Sequence, residues 1–131
     1  MKKYIFIFSF FMVVIGVLLA PNISYVPHFS PKKSTSISIS MVEVALDTFL
    51  GDNGIYPSDE EGLDALLKNV NREKYIYYNG PYLPKYIRDG WGEDFIYLNK
   101  GKTFMILSYG ADKKEGGEGD NEDILFVKGN D

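Results

Sequence analysis

Cysteine is absent from this chain, which removes disulfides, thiolate catalysis and cysteine-type zinc sites together. The absence is compatible with an oxidising compartment but does not identify one. Histidine is nearly absent as well. His28 is the sole example and sits in a proline-rich stretch, so general acid–base chemistry of the imidazole kind has no candidate. Positive charge is in deficit, with 14 Lys and Arg against 18 Asp and Glu and a net charge of −4. No Lys/Arg stripe reverses that balance, so nucleic acid is not an expected partner. The nucleophile-elbow pattern Gly-x-Ser-x-Gly, the zinc pattern His-Glu-x-x-His and the P-loop are all missing. What remains is a chain of 131 residues, 45% apolar and 15% aromatic, enough for one domain with a core of its own.

The chain opens on Met1-Lys2-Lys3 and then runs from Tyr4 to Ala20 through apolar or small residues. That run lies between a signal-peptide core and the ~20 residues that span a bilayer. Ala20 is a small residue in place for cleavage, but Leu18 and Pro21 flank it poorly. Residues 1–20 are therefore either a signal anchor or a signal peptide, with the uncleaved anchor expected and the lysines keeping the N-terminus cytoplasmic. In either case the remainder is exported: an inner-membrane, single-pass protein whose globular part is periplasmic and which touches membrane lipid through residues 4–20. Residues 21–33, with Pro21, Pro27 and Pro31, read as an extended linker.

The globular domain is expected over 34–131. A helix from Ser34 to about Asp52 is predicted, because Ile37, Met41, Val44, Ala45 and Thr48 recur at 3/4 spacing. Val42, Leu46, Phe49 and Leu50 widen its apolar face. The alternation Ser36-Ile37-Ser38-Ile39-Ser40 fits a strand as well as a helix start. Gly51-Asp52-Asn53-Gly54 supplies the stop. Ser58 heads a second predicted helix, with Glu61 at capping-box spacing and Leu63, Leu66 and Leu67 as its buried face. Tyr75-Ile76-Tyr77-Tyr78 is expected to pack over the first helix rather than to present a sugar-binding face. Phe95–Leu98, a turn at Asn99–Lys102 and Thr103–Ser108 form a hairpin, with Ile124–Val127 as a third strand. The order gives an α+β fold: a long amphipathic helix packed on a small antiparallel sheet.

Between the second and third strands lies the densest charge in the chain. Ser108–Ile124 holds six carboxylates, two lysines and four glycines. Two explanations are open: a solvated acidic turn, or a site for a hard divalent cation such as Ca²⁺, which takes six to eight oxygens in irregular geometry. Counted from Asp112, the spacing is not that of an EF-hand, since Lys114 and Gly116 stand at positions 3 and 5.

Several elements occur together: Asp52-Asn53-Gly54-x-Tyr56-Pro57, Glu61-Gly62-Leu63-x-Ala65-Leu66, Pro81-Tyr82-Leu83 and Asp89-x-Trp91-Gly92. Ser108-x-Gly110-Ala111-Asp112 and Gly116-Gly117-Glu118-Gly119 through Asp123-Ile124 complete the series. In this order they resemble the major pseudopilin of type II secretion systems, over about Val42 to Ile124. The resemblance implies a pseudopilin-like fold and a bound Ca²⁺ near the C-terminus. It also implies an assembly role beside other pseudopilins or secretion-machine subunits. By the same resemblance the metal ligands would be Asp112, Asp120 and Asp123, with Asn121 as a further candidate and Tyr109 through its backbone carbonyl. The chain departs from the family pattern in having no Gly-Phe junction, no acidic residue before Glu43, Gly90 ahead of Trp91, and Lys113-Lys114 after Asp112. The expectation is a structural component rather than an enzyme. Two alternatives stand beside it: an exported, tethered binding module that does not polymerise, and a hydrolase working through paired carboxylates.

Overall fold

The computed structural model describes residues 29–129. The segment 1–20, most of the linker and His28 lie outside the described residues. Helix α1 spans Pro31–Asn53 and so starts earlier than its predicted Ser34. Residues 31–33, assigned to the linker, are its first turn. Ser30, in extended conformation, accepts a hydrogen bond from the Lys33 amide at 3.4 Å. Pro31 follows in the first turn, where a missing N–H is no loss. A proline that punctuates a linker by composition here begins a helix.

The serine alternation is helical. Ser36 and Ser40 donate to the carbonyls of Lys32 and Ser36, each at 3.1 Å, which satisfies their hydroxyls within the helix. At the other end Gly54 adopts φ 75° and its N–H returns to the Leu50 carbonyl at 2.7 Å, the left-handed stop that the Gly-Asp-Asn-Gly sequence predicts.

Val42, Leu46 and Phe49 are fully buried, with Thr35, Ile39 and Ala45 beside them. These residues face the sheet, as expected. The stripe read as the centre of the apolar face turns the other way: Ile37, Met41 and Val44 are 40%, 47% and 66% exposed. Both stripes have 3/4 spacing, so periodicity alone could not choose between them. The outward stripe lines an open groove of about 790 Å³ with Pro81, Tyr82 and Leu83.

The Ser58–Glu61 capping box forms: the Ser58 amide donates to Glu61 at 2.8 Å, and the Glu61 amide to the Ser58 hydroxyl at 3.3 Å. The predicted helix behind it is only a 3-10 turn, Gly62–Leu66. Gly62 sits at φ 55°, outside the right-handed helical region, and that breaks α-helical propagation. Tyr75 packs edge-on against Phe49 with ring centroids 4.8 Å apart, and Tyr78 and Tyr82 join at 6.2 and 5.4 Å. Tyr77 instead points outward, 71% exposed, so the expected aromatic packing holds for Tyr75 and Tyr78 only.

Three strands follow: β1 (Ile96–Asn99), β2 (Phe104–Ser108) and β3 (Ile124–Val127), antiparallel in the order β1-β2-β3. Ile96 pairs with Leu107 and Leu107 with Leu125, and one pair further along Leu98, Met105 and Val127 align. Tyr97, Phe104 and Ile106 on the inner face are buried against α1. Lys128, just past β3, closes the domain by reaching Glu43 at 3.0 Å and Asp47 at 2.8 Å on α1.

Candidate metal centre

The loop between β2 and β3 is built by the strands on either side. Ser108 pairs with Ile124, so the two ends of a fifteen-residue excursion must meet. One turn further out the Ala111 amide donates to the Asp120 carbonyl at 2.9 Å. Within the excursion Gly110, Lys113, Gly116, Gly117 and Gly119 all have positive φ, which curls the backbone tightly. Gly110 and Gly117 are required by space as well as by φ. A Cβ on Gly110 would lie 2.7 Å from the Asp120 carbonyl oxygen, and one on Gly117 2.5 Å from that of Asn121.

The five residues named from the sequence fall as follows. Asp123 is half-buried; its Oδ2 accepts from the Gly116 amide at 3.0 Å, and its Oδ1 is shielded from solvent without a hydrogen-bond partner. Asp112 is half-buried at the loop's entry, its Oδ1 accepting from the Lys114 amide at 3.2 Å. Asp120 and Asn121 lie in a 3-10 turn, Gly119–Asn121, both exposed at the side chain. The Asp120 carbonyl is already taken by Ala111. Tyr109 is half-buried and lines a small cavity of about 190 Å³ with Asp89, Glu93, Asp94 and Lys113.

Among the described residues no three carboxylate or imidazole side chains converge as a ready cluster. The donor set is therefore sparse in side chains and rich in curled backbone. An ionised carboxylate oxygen buried without a partner is costly to leave so, and a hard cation with oxygen ligands would satisfy the Asp123 Oδ1 orphan. On that atom the residues fit Ca²⁺.

Sequence reading missed the support beneath this loop. Asp89, inside what looked like a plain turn, is 7% exposed. Its Oδ1 accepts from the amides of Trp91 and Glu93 at 3.0 and 2.8 Å, and its Oδ2 from the Ser108 hydroxyl at 2.6 Å. The Ser108 hydroxyl in turn accepts from the Gly110 amide at 3.3 Å. The same turn grips the start of α1, since the Gly90 amide donates to Thr35 Oγ1 at 2.8 Å and a Cβ on Gly90 would lie 2.0 Å from the Pro31 carbonyl oxygen. Gly90, noted above as a departure, is thus the only residue type that fits against this helix start. Lys113 pairs with Glu93 at 2.6 Å, which ties the loop to the turn and holds that lysine away from Asp123.

A family model described as type II secretion system protein G matches residues 24–126. Among curated proteins, the type II secretion system core protein G of Vibrio cholerae serotype O1 is 35% identical over 119 residues, covering 86% of this chain and 82% of the relative. That of Pseudomonas aeruginosa is 34% identical over 120 residues, covering 86% and 84%. The crystal structure of the major pseudopilin from the type 2 secretion system of enterohaemorrhagic Escherichia coli superimposes with a TM-score of 0.60 at 28% identity, covering 72% of this chain and 84% of that one. With a helix on a three-stranded antiparallel sheet, a curled acidic loop and these matches, the chain belongs to the protein G family of the type II secretion system.

Proposed function

We propose that this chain is a pseudopilin-type structural subunit of a type II secretion machine whose globular domain closes around a Ca²⁺ ion. Residues 4–20 would hold it to inner-membrane lipid, with the domain on the periplasmic side and other pseudopilins or machine subunits as its partners. A structural role without catalysis fits the carboxylates that are drawn inward. Glu61, Asp89 and Asp47 each hold a hydrogen-bonded position in the fold and are not paired across a cleft.

The observation that carries the calcium reading is Asp123 Oδ1, buried and unpartnered at the mouth of a loop whose two ends are zipped together. Asp123 and Asp112 would supply side-chain oxygens, Asp120 and Asn121 further ones, and Tyr109 a backbone carbonyl. Bound there, the cation supplies positive charge to a loop that is otherwise repelling itself, and nothing more. Binding to the folded state alone would add ~2.7 kcal/mol at 100 times the dissociation constant. Mg²⁺ is expected to substitute poorly, because it demands tighter octahedral geometry and holds its waters.

The test is thermal unfolding of the protein in EDTA, Ca²⁺ and Mg²⁺. Ca²⁺ should raise the midpoint, Asp123→Ala and Asp112→Ala should each remove that gain, and Glu115→Ala should keep it. Equal midpoints in EDTA and millimolar Ca²⁺ would leave the loop as a solvated acidic turn.

A further inference from the structure

The outer face of the sheet is where the molecule breaks the usual rule. An antiparallel sheet with one face on the core ordinarily carries polar residues on the other. Here the side chains opposite α1 are Ile96, Leu98, Met105, Leu107, Leu125 and Val127, six aliphatics in two aligned rows. Leu125 and Val127 are 55% and 53% exposed, and Ile96 36%. No polar residue interrupts the face.

Charge sits only at its ends, and with opposite signs. Beyond the Leu98–Met105–Val127 row, in the β1–β2 turn, stand Lys100 and Lys102, both exposed. Beyond the Ile96–Leu107–Leu125 row lies the acidic loop, with Glu115 and Glu118 exposed. None of these four residues belongs to the salt bridges formed among the described residues.

We infer that this face is a self-contact: two copies of the chain stack sheet on sheet through the six aliphatics, turned end for end so that Lys100 and Lys102 of one meet Glu115 and Glu118 of the other. The two-fold axis lies between the sheets, perpendicular to the strands. It places Leu125 over Val127, Leu107 over Met105 and Ile96 over Leu98 of the copy, in an isologous contact. An anionic lipid surface is a poorer match, because the acidic end would be driven off it. Three strands ~4.8 Å apart and four to five residues long give a footprint of roughly 200–300 Å². That is well below the ~800 Å² per partner of a standard interface. The contact is therefore weak in dilute solution and forms where copies are crowded.

The natural absence of cysteine makes the test clean. The full chain, purified in detergent, would carry Leu125→Cys and be treated with a thiol crosslinker spanning ~10 Å, the distance between stacked sheets. Expected is a crosslinked dimer that rises with concentration and exceeds that of Lys68→Cys, an exposed position outside the sheet. Val127→Asp in the Leu125→Cys background should abolish it while leaving the circular dichroism spectrum unchanged. Mixed Lys102→Cys and Glu118→Cys chains should crosslink to each other more than either does to itself. In the Leu125→Cys chain, Lys100→Glu with Lys102→Glu should lower the dimer roughly threefold to tenfold at low salt, the range two surface ion pairs would give. Restoring complementarity with Glu115→Lys and Glu118→Lys should bring it back. A Leu125→Cys dimer no stronger than the Lys68→Cys control overturns the inference, and so does one that survives Val127→Asp. Preferential same-end crosslinks overturn the end-for-end arrangement. Protection of the introduced thiol of the Leu125→Cys chain by added phospholipid vesicles, independent of protein concentration, would give the face to lipid and overturn it too.

Discussion

Glu61 offers the sharpest test of how this fold is held. Its carboxylate accepts from the Ser58 amide and from the Lys74 ammonium, each at 2.8 Å, and from the Tyr75 hydroxyl. Its side chain is only 15% exposed. Burial alone would push its pKa up, but the hydrogen bonds from Lys74, Tyr75 and Ser58 outweigh it and bring the group from 4.5 down to about 2. A carboxyl lowered on folding stabilises the native state above its unfolded pKa. That contribution drains away as the pH falls through the folded one. A drop of this size corresponds to about 3 kcal/mol, present in full above roughly pH 5 and gone near pH 2.

Glu61→Gln removes the charge while keeping an acceptor oxygen. It is expected to cost about 1.5–3 kcal/mol at pH 7, as the loss of hydrogen bonds to a charged group does. Urea denaturation of wild type and variant from pH 7 to pH 2 measures this. The two stability curves should stay apart down to about pH 5 and converge as the pH approaches 2. Parallel curves over the whole range would refute the reasoning, because the variant's deficit would then owe nothing to the ionised carboxylate.

Leu46, fully buried under the sheet, should cost ~2–5 kcal/mol as Leu46→Ala, read as a lower urea midpoint at unchanged slope; a near-neutral effect would contradict its place in the core. Gly90→Ala should destabilise by roughly 1–3 kcal/mol in the same assay, since the new methyl would lie 2.0 Å from the Pro31 carbonyl oxygen. Gly51→Ala is the opposite case. Gly51 is helical with open space where a Cβ would stand, and the substitution should add roughly 0.5–1 kcal/mol.

Much of the chain could be read without coordinates because its signals are local. A helix stop depends on Gly54 and its immediate neighbours, a capping box on Ser58 and Glu61, a strand on a few aliphatic residues in a row. All of these appear where the sequence places them. The acidic loop was legible for the same reason: glycines and carboxylates interleaved between two strands specify a curl whatever lies around it. Family membership rested on short ordered motifs and survived comparison with known proteins.

Tertiary structure decided what local chemistry leaves degenerate. Helix α1 has two apolar stripes of equal periodicity, and only contact with Tyr97, Phe104 and Ile106 selects Val42, Leu46 and Phe49 as the buried one. Pro31 begins the helix because its first turn docks under Gly90, nearly sixty residues away, a contact no window of sequence contains. Asp89 gave no signal of its own. Its meaning comes from Ser108 across nineteen residues of chain, and through Ser108 it fixes the entry to the acidic loop. The partnerless oxygen of Asp123 and the uninterrupted aliphatic outer face are likewise properties of a fold, because burial and register exist only once strands have paired. The sequence by itself determined which elements form and where they stop. Which faces meet, and which polar atoms are left without a partner, only long-range packing could settle.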